Sequence, residues 1–343
     1  MRELNVKRRL VVLYWVILLL PLPAAVIAIG QGRYEIPPGE VVQSLYDYAV
    51  TSHQADFEPT IAYNLVTRIR LPRILVAMLI GTSLAVTGTA FQGIFRNPLV
   101  DSNILGVTSG AGFGAALALL LQLGPAMVQA MAFFFGLLAV LAAFSVSRLY
   151  HSAPMLVLTL VGILVGSFFG SLTSLLKYVA DPLDTLPAIT YWLLGSLADV
   201  TRDDVPALLT ITLGGMVFLW AVRWRLNVLS LGDSEALSLG LRPVRLKLSV
   251  ILCSTLMTAM AVSVGGVIGW VGLVVPHAAR TLVGPDHLRL VPASMALGAV
   301  FLLAIDTLSR TLWANEIPLG VFTGIVGVPL LLVILRVNRT GWQ

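Results

Sequence analysis

Long apolar runs alternate with short polar segments along almost the whole sequence. Most runs hold about 20 apolar residues, the length that an α-helix needs to cross the hydrocarbon core of a bilayer. The eighth run is the weakest, because Pro276, His277 and Arg280 interrupt it. The pattern predicts an all-α membrane protein with ten transmembrane helices, at residues 10–29, 74–95, 104–123, 126–147, 153–176, 205–222, 246–264, 267–283, 290–313 and 317–336.

The basic residues indicate how these helices are oriented. Cytoplasmic loops of membrane proteins are enriched in lysine and arginine, and most of the 22 such residues fall in loops on the same side as the N-terminus. We therefore expect both termini in the cytoplasm, within one transmembrane domain over residues 1–343. Between the fifth and sixth spans, the uncharged stretch Leu186–Ala198 is too short to cross a bilayer. It predicts a helix in the interface or partway into the membrane.

Composition excludes several classes of protein. The chain is 57% hydrophobic and 11% charged, whereas soluble domains carry about 25% charged residues. The net charge of +5 lies mostly in short loops between apolar runs, which fits membrane topology and not a nucleic-acid partner. The single cysteine, Cys253, excludes an intrachain disulfide. No lysine follows a glycine, so the chain has no P-loop, and no metal site is predicted from the spacing of His53, His151, His277 and His287.

Several motifs identify a family. Residues 70–112 contain L-P-R, then G-x-x-L-A-x-x-G-x-x-x-Q, then R-N-P-L and L-G-V-x-S-G-A. Residues 269–280 read GWVGLVVPHAAR, and residues 317–335 read IPLGVFTGIVGVPLLLVIL. These motifs closely resemble the permease subunits of type II ABC importers, which carry iron–siderophore complexes, haem and cobalamin.

The resemblance implies an architecture and a set of partners. It implies two related halves of five helices, approximately 1–200 and 201–343, and LAVTG at 84–88 faintly repeats as AVSVG at 261–265. A dimer of P-loop ATPase subunits would bind ATP and magnesium, so this chain would carry no cofactor. A substrate-binding protein would deliver cargo, and a second permease chain would complete the path. We expect a homodimer in preference to a pair of different permease chains. The expected location is the cytoplasmic membrane of a bacterium or archaeon.

Three arginines near the predicted outer surface are candidates for docking the binding protein: Arg70, Arg73 and Arg310. Arginine suits this task, because its planar guanidinium binds a carboxylate through two parallel hydrogen bonds. Without the family resemblance, a second interpretation is open, in which the three side chains extend to the membrane interface. In similar permeases, arginines at these positions receive acidic residues of the binding protein.

The longest predicted cytoplasmic loop, 223–247, contains a short helix at Ser234–Leu239. Asp233 resembles a helix N-cap and Gly240 a C′ residue. This pattern also fits a loop helix that packs on the membrane surface. In related permeases, however, the segment G-D-x-x-A-x-x-L-G is the coupling helix that contacts the ATPase. The resemblance assigns this role to Gly232, Asp233, Glu235, Ala236, Leu239 and Gly240.

Glycines recur on the fifth and tenth predicted helices. Their spacing allows close helix approach, and static packing would suffice to explain it. The resemblance assigns them to the translocation path and its gate, at Gly162, Gly166, Gly170, Gly320 and Gly324.

Two other functions, an ion-coupled carrier and an intramembrane enzyme, would each require specific residues within the membrane. An ion-coupled carrier needs ionisable groups within the membrane, and Asp306 is the only acidic residue well inside a predicted span. Arg310 lies one helical turn further on, so we expect a structural ion pair between them. An intramembrane enzyme would need a convergent nucleophile and base, and the sequence contains no such motif. Cargo is expected to be an iron–siderophore complex, with haem, cobalamin and molybdate as alternatives.

Overall fold

The computed structural model describes residues 2–51, 59–150, 154–313 and 315–337. Every regular element within those ranges is helical, which agrees with the predicted all-α class. The α-helices are α1 Arg2–Leu19, α2 Pro21–Gly30, α3 Pro38–Tyr46, α4 Ile61–Asn64, α5 Leu71–Phe95, α6 Val107–Leu120, α7 Pro125–Ser147, α8 Pro154–Val179, α9 Thr185–Leu194, α10 Asp204–Leu231, α11 Asp233–Ser238, α12 Pro243–Gly265, α13 Val271–Val283, α14 His287–Thr311 and α15 Leu319–Val337.

Eight helices in the described part of the chain are long and apolar enough to cross a membrane. One of them joins α4, a π-helical segment at Leu65–Arg70 and α5 into a single helix over Ile61–Phe95. The predicted spans 104–123 and 267–283 correspond to α6 and α13, which have 14 and 13 residues. Both helices are short because irregular backbone precedes them. Left-handed conformations occur at Gly106 before α6, and at Gly266 and Trp270 before α13.

Helix α5 lies at the centre of the bundle. Of its 25 residues, 20 are buried, and it packs against α10, α12, α13 and α14. Gly81 on α5 and Gly298 on α14 bring the two backbones into direct contact, so that a side chain at either position would meet the other helix. Small residues allow such close approach of helices in membranes.

The two ends of the bundle carry different polar groups. One, called here the arginine end, holds Arg70, Arg73 and Arg310 at the start of α5 and the end of α14. The other, called here the α11 end, holds the end of α5, the end of α10, α11 and the start of α14. About 37 Å separates the ends of α5, because a 25-residue helix rises about 1.5 Å per residue.

Candidate functional sites

The three arginines predicted for docking lie together, but their side chains are buried. Arg70 donates hydrogen bonds to the backbone carbonyls of Ile29 and Tyr34. Arg310 donates to the carbonyl of Ala28, at 2.7 Å, and to that of Gln31, also at 2.7 Å. The bonds to Ala28 and Ile29 satisfy carbonyl groups at the end of α2, which have no partners within that helix.

Arg73 binds two carboxylates at once. Its Nε lies 2.9 Å from Oδ1 of Asp306, and its terminal nitrogens lie 3.0 and 2.8 Å from the two oxygens of Glu316. Arg310 approaches Asp306 at 3.6 Å, which confirms the expected pair, although Arg73 is the closer partner. Asp306 is therefore held in a structural network, which is not the environment expected of an ion carrier.

Glu316 is the part of this network that reaches solvent, with 26% of its side chain exposed. Burial alone would raise the pKa of its carboxyl, but the hydrogen bonds and charge of Arg73 outweigh burial and lower it. A cavity of about 220 Å³ opens beside it, and four arginines line this cavity together with Glu316: Arg33, Arg70, Arg73 and Arg310.

At the other end of the molecule, α11 is a short helix fixed to α12. Ala236 is fully buried, and the carboxylate of Asp233 accepts hydrogen bonds of 2.6 and 2.8 Å from the buried ammonium of Lys247. The prediction that Asp233 is the N-cap was wrong by one residue. Gly232 is the N-cap, and the carboxylate of Asp233 binds Lys247 instead of the helix N–H groups.

The rest of α11 and the residues that follow it present an exposed apolar surface. Leu237 and Leu239 are 61% and 57% exposed. The side chain of Glu235 folds over Gly232. Its pKa is lowered by hydrogen bonds from its own backbone N–H and from the Ser234 hydroxyl. Gly240 adopts the left-handed conformation of a C′ residue, with φ of +77°, as predicted.

The five glycines predicted for the path have different surroundings. Gly162 contacts the backbone of Ile104, and Gly320 contacts the carbonyls of Leu194 and Val267. Gly166 and Gly324 make only ordinary contacts, and Gly170 faces open space. Close packing thus accounts for the first two, while the other three leave room along their helices.

A glycine junction near Gly320 was not predicted. Gly195, just after α9, and Gly266, just after α12, both have positive φ, and a side chain on either would meet the backbone of the other segment. The N–H of Leu319 donates to the carbonyl of Gly195 at 2.8 Å. The end of α9, the irregular backbone after α12 and the start of α15 therefore meet at one point.

Sequence reasoning also missed Glu316 and Lys247, the partners of two predicted residues. The acidic residue immediately before the I-P-L-G motif was a usable signal for Glu316. No group of three metal-ligating side chains occurs within the described ranges, from which His53 and His151 are absent.

Comparisons with known proteins identify the family. Residues 17–337 match the FecCD transport family. The molybdate import system permease protein MolB of Haemophilus influenzae is 38% identical over 325 residues, covering 92% of this chain and 93% of that protein. A probable iron chelatin transport system permease protein of Helicobacter pylori is 39% identical over 276 residues, covering 80% and 83%.

A solved structure has the same fold. It is described as an inward-facing conformation of a metal-chelate type ABC transporter, with a TM-score of 0.84 and 36% identity, and the match covers 94% of this chain and 98% of that one. The chain belongs to the FecCD transport family and is a permease of a type II ABC importer.

Proposed function

We propose that this permease works in the cytoplasmic membrane of a bacterium or archaeon with two ATPase subunits, a substrate-binding protein and a second permease chain. ATP and magnesium would be bound by the ATPase subunits. The observation that carries this proposal is the form of α11, a short helix with a buried alanine, a fixed start and two exposed leucines. A helix on a bilayer surface would share the leucines, but it would not need the ion pair with α12.

Ten membrane spans with both termini inside remain the topology that we favour. One correspondence between the halves supports it. The short helices α6 and α13 follow the long helices α5 and α12, respectively, after irregular segments that contain left-handed residues. Inverted repeats with discontinuous helices are common in transporters, so this correspondence supports halves at 1–200 and 201–343. In this orientation the arginine end faces outward and α11 faces the cytoplasm.

For the outer surface we propose docking of the binding protein at the cavity lined by Arg70, Arg73 and Arg310. Four arginines against one cavity carboxylate, Glu316, give it an excess of positive charge even after Asp306 is counted. An acidic side chain of a partner would be attracted there. Because the donors of Arg73 are already occupied, such a carboxylate would compete with Glu316, the more exposed of its two partners.

For the path we propose the face of α8 around Gly166 and Gly170 together with Gly324 on α15. A side chain would meet open space at Gly170 and nothing closer than ordinary contact distance at Gly166 and Gly324. Gly162 and Gly320 would hold the neighbouring segments at the edge of the path. A second copy of the chain would supply the opposite wall, and we favour a homodimer because this chain holds every proposed element.

The proposed cargo is an iron chelate. The solved relative of metal-chelate type supports it, and so does the iron chelatin permease of Helicobacter pylori. Molybdate is the second candidate, because the named molybdate permease matches over 92% of this chain. Haem and cobalamin remain alternatives through the family resemblance.

Purification from native membranes in mild detergent tests the proposal. The wild-type chain is expected to bring down a P-loop ATPase in equal amount, together with the binding protein, whose ligand can then be identified. Leu237→Asp should abolish the ATPase yield, because it places a charge on the exposed apolar surface of α11. Leu183→Asp is the matched control, since Leu183 is also exposed but lies before α9. Equal ATPase yields from both variants would contradict the proposal.

A further inference from the structure

A set of hydrogen bonds joins the end of α10 to the start of α14. Oδ1 of Asn227 accepts from the backbone N–H of His287 at 2.8 Å and lies 2.9 Å from Nδ1 of the same residue. Nδ2 of Asn227 donates to Oδ1 of Asp286 at 2.6 Å. We call Asn227, Asp286 and His287 the α10–α14 joint.

The joint also touches α5. The His287 ring lies against Gly93, where an added methyl group would come within 2.7 Å of Nε2. Since Oδ1 of Asn227 can only accept, Nδ1 of His287 carries the proton, and Nε2 of the neutral ring is left as an acceptor. Three long helices thus meet through one imidazole.

Two complementary polar atoms on α5 and α14 have no hydrogen-bond partner among the residues that the structure describes. They are Nε2 of His287, an acceptor, and Nε2 of Gln92, a donor, both buried. Gln92 precedes Gly93 on α5, and its carbonyl oxygen accepts from Arg280 at 2.9 Å. Buried polar groups are usually satisfied. A donor on α5 and an acceptor on α14, both buried and without a partner among the described residues, fit a joint that has a second hydrogen-bonded arrangement.

Helix capping alone does not explain the joint. Asp286 caps α14 by accepting from the N–H of Leu288, and this requires neither Asn227 nor an imidazole. Asn227 lies one turn before the end of α10 at Leu231, and α11 begins two residues later, at Asp233. The joint therefore ties α10 to α14 close to the point where α10 leads into α11.

We infer that Asn227 and His287 are positioning residues that transmit movement of α11 to α14 and, through Gly93, to α5. This inference rests on the proposed role of α11 in coupling. It predicts that breaking the joint separates ATP hydrolysis from movement of the path, without loss of the ATPase.

The test uses the purified permease–ATPase complex, with Gly170→Cys as a reporter in a Cys253→Ala background. Gly170 faces open space, so a cysteine fits there. Maleimide labelling at residue 170 is measured with and without ATP and vanadate, and ATP hydrolysis is measured in parallel. In the parent, trapping should change the labelling rate by about fivefold or more, the lower end of ordinary coupling energies.

The variants are His287→Gln and Asn227→Leu, which remove the hydrogen bond between the two side chains. Both should hydrolyse ATP within about twofold of the parent, yet show no change of labelling on trapping. His287→Asn should retain the change, because its amide nitrogen lies where Nδ1 lies in histidine. Ser230→Ala is the control on α10, since its hydroxyl bonds only to its own helix.

A parental change of labelling in both His287→Gln and Asn227→Leu would overturn the inference. Loss of assembly in both would also overturn it, because the joint would then be purely structural. If the parent itself failed to bind the ATPase or to change its labelling, the proposed coupling role would fail, and the inference would fail with it.

Discussion

Arg73 on α5 and Asp306 on α14 form a buried ion pair between residues that are 233 positions apart. The side chain of Asp306 is fully buried. Such a pair adds little net stability, because both groups lose their hydration, but removing one partner leaves a charge without compensation. The pair therefore specifies where α5 and α14 meet at the arginine end.

Asp306→Asn should destabilise the protein strongly. Arg310 would lose its acidic partner and Arg73 would keep only the partly exposed Glu316, so the expected cost is about 3 kcal/mol or more. Glu316→Gln is the matched comparison and should cost about 1 kcal/mol or less, because that carboxylate is partly solvated. Unfolding measured in detergent distinguishes the two, and equal losses would show that the burial of Asp306 does not matter.

The Glu316 contact should depend on pH only in acid. Its carboxyl has a folded-state pKa below the ordinary value of 4.5, so its contribution is complete above 4.5 and is lost as the pH falls through the folded pKa. The stability difference between wild type and Glu316→Gln should be constant from pH 8 to about 5 and shrink below 4.5. A difference that already shrinks between pH 8 and 6 would contradict this assignment.

Asp233 and Lys247 should respond unequally to substitution. Asp233→Asn leaves a buried ammonium without its counter-charge, whereas Lys247→Met leaves a carboxylate that is 48% exposed. We expect the first change to cost about 3 kcal/mol and the second about 1 kcal/mol or less.

Both changes should release the start of α11 and weaken retention of the ATPase. Measuring unfolding and ATPase yield for both variants checks the prediction, and a larger loss of stability in Lys247→Met would refute it.

Gly320 and Gly170 should differ in their tolerance of a methyl group. In Gly320→Ala the new methyl group would lie 2.6 Å from the carbonyl oxygens of Leu194 and Val267, and such overpacking costs about 1–3 kcal/mol. Gly170→Ala has no neighbour to meet and should leave the melting temperature within about 2 °C. Equal stability of the two variants would mean that the glycine junction can relax.

Helix positions were largely predictable because they depend on local hydrophobic runs. The predicted span 126–147 matches α7 at Pro125–Ser147 within one residue. The span 205–222 falls short of α10, which continues to Leu231. An apolar run predicts the membrane-spanning part of a helix, but it does not predict where a helix ends once it continues into polar sequence. The start of α13 at Val271 was missed because left-handed backbone at Gly266 and Trp270 interrupts an apolar run that has no polar marker.

The candidate residues could be named from sequence, but their partners could not. Glu316 lies 243 residues from Arg73, and Asn227 lies 60 residues from His287. Only the packing of α5, α10, α14 and the segment after α14 brings these groups together, and no spacing rule within one helix predicts it. The short-range pair of Asp306 and Arg310 was predictable because one helical turn separates them.

Photo-cross-linking from α11 identifies the protein that contacts this helix in the membrane. A photoreactive residue replaces Leu237 in one sample and Leu183 in the other, and the cross-linked partner is identified by mass spectrometry after irradiation of native membranes. We expect a P-loop ATPase joined to position 237 and none joined to position 183. Absence of the ATPase from position 237, while position 183 behaves the same, would contradict the claim that α11 couples this permease to ATP hydrolysis.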